Sequence, residues 1–414
     1  MFNRIASEKI YCGLDLGSQK IKIGVYSVKN GAELKLLGAY EHPTQGFIDG
    51  SVSNLSELSE CIHQAINYVE KKANVRVKEV QLGLGGELID VRETSTVIPL
   101  TDRGTKVIVN RDIKKVNDQA RLLGMRMDEE VLHDIPQHYQ VDEINMALNP
   151  LGLLGRKLGV HALMMLTHVS RLRNITKAVH EAGYDIGSIF FSSYAASVAA
   201  LTDEDKAKGC VLVDIGSKIT SVLVFKDNTL KYFDKIKIGG DHFTRNIAAN
   251  LNLTHDLAEE IKKSYAVALD ADQQNEEEIL VKREDMYIPI KRESIYQAIK
   301  PDIETLVTNI KAAIRASGLF EQINAGISMV GGGALLPGLM ERIEQDVNFP
   351  VRLSKIVIPS QKSFTTNAPV FASVIGLVQS AYFKNIPARE SSNGENNWAK
   401  SVVNKMMELY QEYF

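Results

Sequence analysis

The sequence predicts an α/β protein of two related halves set around a cleft, and three observations predict it. A strand hairpin closed by Asp-x-Gly-Ser occurs twice, once at Asp15 and once at Asp214. Strand-like runs alternate with segments of helical spacing, the pattern of a layered α/β architecture. At 414 residues the chain is also longer than one hydrophobic core sustains, so it divides into domains.

In "KIYCGLDLGSQKIKIGVYSV" an apolar strand runs into Asp15-Leu16-Gly17-Ser18, and an alternating strand with Ile21, Ile23 and Val25 returns from the turn. "GCVLVDIGSKITSVLVF" repeats the design, with Asp214-Ile215-Gly216-Ser217 at the turn and Ile219, Val222 and Val224 beyond, an internal duplication. Cys12 and Cys210 fall in matching places and, like Cys61, form no CxxC pair, so they read as small buried residues. Leu55, Leu58, Ile62, Ile66 and Val69 predict a helix, and a second one ends near Gly183. Residues 8–78 and 169–207 then make the first half. Residues 79–168, with short strands and a polar helix from Arg111 to Gly124, read as an inserted α+β subdomain. The second half is expected over 208–235 and 311–384, interrupted by a helix-rich segment at 236–310. In "INAGISMVGGGALLPGLMERI" a strand breaks into Gly331-Gly332-Gly333 and restarts as a helix. Residues 385–397 read as a flexible linker before a terminal helix at 398–414.

Lys plus Arg number 48 against 51 Asp plus Glu, a net charge of -3, which argues against nucleic acid as a partner. No stretch approaches the roughly 18 apolar residues of a membrane span. The start, "MFNRIASEKIYCG", lacks the apolar run of a signal peptide, so the cytoplasm is the expected compartment. Any membrane contact is therefore expected at the bilayer surface.

A nucleoside triphosphate needs backbone N–H groups and hydroxyls aimed at its oxygens, and a hydrated metal needs carboxylates within reach of its water shell. Two facing Asp-x-Gly-Ser hairpins supply both. Asp15 and Asp214 can hold metal-bound waters, Gly17 and Gly216 allow close approach, and Ser18 and Ser217 can donate to phosphate. Either hairpin alone is an ordinary strand turn, and Gly331-Gly332-Gly333 alone suits many ligands. Together, in this order, they resemble the actin-like ATPase superfamily. The resemblance implies ATP and Mg as cofactors, held by Asp15, Gly17, Ser18, Gln19 and Lys20 in a first phosphate motif and by Asp214, Gly216 and Ser217 in a second. It adds Gly239 and Gly240, and an adenosine motif at Gly331, Gly332, Gly333 and Ala334. Glu259, Lys262 and Lys263 have the spacing that the superfamily lays against adenine and ribose, whereas read by themselves they are a solvated helix face. Helices around Ala196 and Gly376 stand where the superfamily places its interdomain connectors, with small residues suited to a close crossing. The second turn reads Gly216-Ser217-Lys218-Ile219-Thr220 where many relatives have Gly-Gly-Gly-Thr, which implies at most slow hydrolysis. No catalytic residue is assigned.

The block "HDIPQHYQVDEINMALNPLGLLGRKLGVHALMM", with Pro136, Tyr139, Asp142, Pro150, Gly152 and Gly155, resembles the FtsA family of bacterial division proteins. The resemblance implies self-assembly into filaments, recruitment of later division proteins, and a docking site for the C-terminal peptide of FtsZ. Lys291 and Arg292 are its expected contacts, although an exposed helix start explains them equally, and Asp302 stands where many relatives have arginine. On a helical wheel of 100° per residue, Trp398, Val402, Val403, Met406, Leu409, Tyr410, Tyr413 and Phe414 share one face. The resemblance makes this a membrane-targeting helix at the cytoplasmic face of the cell membrane, a peripheral attachment. A helix docked on the protein's own body is the plainer reading. Two other functions stay open: a PilM-like pilus-assembly binding protein, which would lack the tethered terminal helix, and an ATP-dependent phosphotransferase.

Overall fold

The structure is a computed structural model that describes residues 9–28, 34–142, 145–269, 278–283, 286–356 and 368–384. The linker and the terminal helix expected at 385–414 lie outside the described residues.

Each half is built on a five-stranded mixed sheet of the same topology. In the first, strand Lys9–Leu16 is central, paired antiparallel with Lys20–Val28 and parallel with Glu79–Leu84. Lys35–Pro43 and Asp185–Phe191 complete the edges. In the second, Cys210–Ile215 is central, antiparallel to Thr220–Lys226 and parallel to Ile327–Val330, with Thr229–Ile236 and Val351–Leu353 outside. The duplication inferred from two hairpins thus extends to whole sheets.

Near-continuous apolar strands follow from burial on both faces. Helix Leu55–Ala73 covers one face of the first sheet, with Val69 against Gly38. Its start is fixed by the Asn54 side chain, which accepts from the backbone N–H of Ser56 and Glu57, and its end by Asn74 in the left-handed conformation. Helix Ala372–Lys384 covers the other face, with Val374 over Gly13 and Gly24. It crosses helix Ser192–Ala200 so closely that a methyl on Gly376 would overlap the Ala195 carbonyl. The close crossing expected from Ala196 and Gly376 is therefore present.

Two boundaries move. Glu79–Leu84, expected to open the insertion, lies inside the first sheet because its apolar run pairs on both edges. Ala372–Lys384, expected in the second half, packs on the first sheet through Val374 and Val378.

The insertion is a four-stranded antiparallel sheet in the order Asn145–Ala147, Glu129–Val141, Lys157–His168, Asp90–Pro99. Helix Asn110–Gly124 packs on it around Val116, Ala120, Tyr139, Leu158 and Met164. The Arg92 guanidinium grips Glu129 through two hydrogen bonds of 2.8 Å and holds its carboxyl at about 2. In the second half, helices Gly240–Leu251, His255–Tyr265 and Arg292–Ala316 form a layer beside the sheet, sharing a core with Ile247, Ile261, Ile299 and Leu306.

Candidate nucleotide cleft

The two hairpins face each other across a cleft of about 430 Å3. Their turns match in detail: the Gly17 N–H donates to the Lys20 carbonyl at 3.2 Å, and the Gly216 N–H to the Ile219 carbonyl at 3.0 Å. The glycine amides are thereby spent within the turns, leaving the following residues at the cleft.

Asp15 and Asp214 are held from one helix. Ser192 Oγ donates to Asp15 Oδ1 at 2.5 Å, and its neighbour Ser193 Oγ donates to Asp214 Oδ2 at 2.7 Å. Ser373, from the crossing helix, donates to Asp15 Oδ2 at 2.6 Å, and Lys22 Nζ stands 3.9 Å from the same oxygen. Burial raises the Asp214 carboxyl above its ordinary range, against the Ser193 hydrogen bond that lowers it. Asp214, buried with no Lys or Arg paired to it among the described residues, suits a cation, and Asp15, which has Lys22 at 3.9 Å, lines the same cleft, so the two together fit the water shell of a divalent metal.

Ser217 Oγ is shielded from solvent and has no hydrogen-bond partner among the described residues, although it lines the cleft. A buried hydroxyl without a partner is costly unless a ligand completes it. Ser18 differs, because its hydroxyl donates to Glu87 Oε2 at 2.6 Å.

The third loop approaches from the second sheet. Gly331 has φ of 89°, and any side chain there would run into Asp214 and the Ile215 carbonyl. At Gly332 a Cβ would meet nothing within 4 Å, so this turn presents bare backbone to the cleft. Leu335, Leu336 and Pro337 follow as an apolar wall. Lys262 stands between them and the second hairpin, donating to Glu259 Oε2 at 2.6 Å, Thr244 Oγ1 at 2.7 Å and the Gly240 carbonyl at 2.9 Å. Burial pushes the Glu259 carboxyl up, yet hydrogen bonds from Lys262 and Thr244 outweigh it and hold the group at about 2.

Of the residues named from the sequence, Asp15, Gly17, Ser18, Gln19, Lys20, Asp214, Gly216, Ser217, Gly240, Glu259, Lys262, Lys263, Gly332 and Gly333 line this cleft. Gly239, Gly331 and Ala334 stand behind the lining, Gly239 packed against the carbonyls of Gly216 and Ser217. Sequence reasoning missed Lys22, Glu87, Ser192 and Ser193. The paired serines at the start of a small-residue helix were the available signal for the last two. Lys291 and Arg292 sit elsewhere, at the head of helix Arg292–Ala316: Lys291 is exposed, and the Arg292 guanidinium lies 5.6 Å from the Tyr265 ring centre. Asp302 accepts from Asn246 Nδ2 at 2.6 Å.

Duplicated five-stranded sheets with facing hairpins and a cleft between them define a protein of the actin-like class. Solved structures agree: the PilM-PilN type IV pilus biogenesis complex matches with a TM-score of 0.64 and 17% identity, covering 90% of this chain and 98% of that one. MreB5 of Spiroplasma citri bound to ADP matches with a TM-score of 0.52 and 12% identity, covering 91% and 98%. Within the class the sequence is decisive. The family model for cell division protein FtsA matches residues 211–376, and that for the SHS2 domain inserted in FtsA matches residues 86–166. The cell division protein FtsA of Pseudomonas aeruginosa is 30% identical over 378 residues, 90% of this chain and 89% of that protein. The chain belongs to the FtsA family of cell division proteins.

Proposed function

We propose that the cleft binds Mg-ATP, and that the chain assembles into filaments that tie FtsZ to the cytoplasmic face of the cell membrane and recruit later division proteins. The observation that carries the nucleotide reading is the Ser217 hydroxyl, buried in the cleft with no hydrogen-bond partner among the described residues. ADP in the MreB5 relative of like fold supports the ligand class. When bound, the metal would neutralise phosphate charge. Asp15 and Asp214 would hold its waters, while Ser217 and the bare backbone at Gly332 would receive the nucleotide's oxygens.

Membership of the FtsA family supports FtsZ and the membrane as partners, with Lys291 and Arg292 as the peptide contacts. Among the described residues no helix is long and apolar enough to cross a membrane; the apolar face that the sequence pattern gives Trp398–Phe414 supports attachment there. If that face buries on the order of 400 Å2, the gross gain is about 10 kcal/mol at 25 cal/mol per Å2, much of it offset by ordering the tail. Many tails on one filament bind far more firmly than one. Co-sedimentation with lipid vesicles and Mg-ATP tests the reading, comparing the full chain with one ending before Trp398. Only the full chain should pellet. If both behave alike, the tail is a docking helix and a PilM-like role takes over.

A further inference from the structure

Five carboxylates line the cleft: Asp15, Glu41, Glu87, Asp214 and Glu259. Four are committed. Asp15 is clasped by Ser192 and Ser373, and Asp214 is buried against Ser193. Glu41 pairs with Lys20 at 2.7 Å, and Glu259 pairs with Lys262 and Lys263 at the apolar end. Glu87 has no cation beside it among the described residues, and its Oε2 accepts only from Ser18.

Its position is equally particular. Glu87 lies in the single turn Gly86–Leu88 that follows strand Glu79–Leu84. Gly86 is pressed so close to the second hairpin that a Cβ there would come within 2.8 Å of Ser221 Oγ. The turn therefore sits where the first and second hairpins converge, beside Ser18, Ile219 and Ser221, whereas Leu335, Leu336 and Pro337, which suit a base, belong to the loop after strand Ile327–Val330. A nucleotide with its base on that apolar wall and its phosphates between the hairpins would bring its last phosphate to the Glu87 end. An anion there opposes phosphate binding, so its use lies in acting on something other than phosphate.

We propose that Glu87 is the general base for ATP hydrolysis, a proposal that rests on the nucleotide reading of the cleft. When Ser18 turns its hydroxyl from Glu87 to a phosphate oxygen, Glu87 Oε2 is released to accept a hydrogen bond from water. That water attacks the terminal phosphorus. A new P–O bond forms, the bond to the bridging oxygen breaks, and its electron pair leaves with ADP. The proton taken from water passes to Glu87 and then to solvent, giving ADP and inorganic phosphate.

The test uses the full chain with Glu87→Gln and Glu87→Asp, reading affinity for ATP and ADP by displacement of a fluorescent nucleotide, and phosphate release in a single turnover. Glu87→Gln should slow release by roughly 100-fold, the usual scale for loss of a general base. It should also bind ATP several-fold more tightly, with ADP affected less, because a charge facing the last phosphate is gone. Glu87→Asp should keep ATP affinity and recover part of the rate. Unchanged hydrolysis in Glu87→Gln, or an equal loss of ATP and ADP affinity, overturns the assignment. A wild-type chain that binds ATP without releasing phosphate overturns it alone, whereas one that binds no nucleotide overturns the reading of the cleft itself.

Discussion

The two Asp-x-Gly-Ser hairpins share a sequence and a backbone, yet their side chains are set differently. Asp15 is 7% exposed and clasped by two serine hydroxyls, while Asp214 has one. The serines reverse the order: Ser18 is engaged with Glu87, and Ser217 has no partner among the described residues. Duplication preserved the turn because the strand pairing demands it. The surroundings then divided the labour, because Ser373 and Glu87 engage only the first hairpin: that one is fastened into the protein, and the second is ready for a ligand.

The largest expected effect tests what fastens the first hairpin. Gly376→Val would force apart the helices that carry Ser192 and Ser373, and urea unfolding should show a loss of about 3 kcal/mol. Gly332→Ala, where a Cβ meets nothing, should cost under about 1 kcal/mol. Similar losses would mean that the crossing does not hold the site.

Next come the aspartates. Asp15→Ala leaves two hydroxyls without an acceptor and should cost about 2 kcal/mol of ligand-free stability, the low end of roughly 1–3 kcal/mol for each. Asp214→Ala leaves one and removes a carboxylate that burial disfavours, so its cost should be about 1 kcal/mol or less. Equal values would erase the distinction between the hairpins. The serines should show the opposite ranking in nucleotide titrations. Ser217→Ala should weaken ATP binding about tenfold, the scale of one hydrogen bond to a charged group, with stability unchanged. Ser18→Ala should weaken it less, because that hydroxyl must first leave Glu87.

The effect that is smallest at neutral pH, and grows only on acidification, is a pH dependence tied to the first hairpin. His133 Nε2 accepts the Phe191 N–H at 3.0 Å, anchoring the strand end that delivers Ser192. Burial holds its imidazole down at about 3, from an ordinary 6.5. The unfolded chain therefore binds a proton over a range where the folded chain does not, and stability falls as pH drops from 6.5 toward 3. His133→Gln should remove up to one proton from that slope in unfolding titrations. An unchanged slope would show that the histidine is charged in the folded chain.

Much of the fold was legible because local patterns carry it. The hairpins, the glycine turn and the helix bearing Glu259 and Lys262 are each written in a few consecutive residues. What stayed hidden depends on distant partners. Nothing near Ser373 announces that it will donate to Asp15, 358 positions away. Glu79–Leu84 resembles the short strands that follow it, and only pairing on both edges assigns it to the first sheet. Glu87 escaped notice for a related reason: one glutamate after two glycines has no signature until the second hairpin closes on that turn.

The adjacent serines at the head of helix Ser192–Ala200 hold the aspartates of both halves, one each. The spacing of the two carboxylates is therefore set by one step along a single helix, not by the angle between the halves. It would work as the rivet of a pair of scissors: were the halves to swing to admit or release a nucleotide, the point between them would keep its place. A metal seated there would keep its footing as the mouth of the cleft opens, so exchange of the nucleotide need not dismantle the site that receives it.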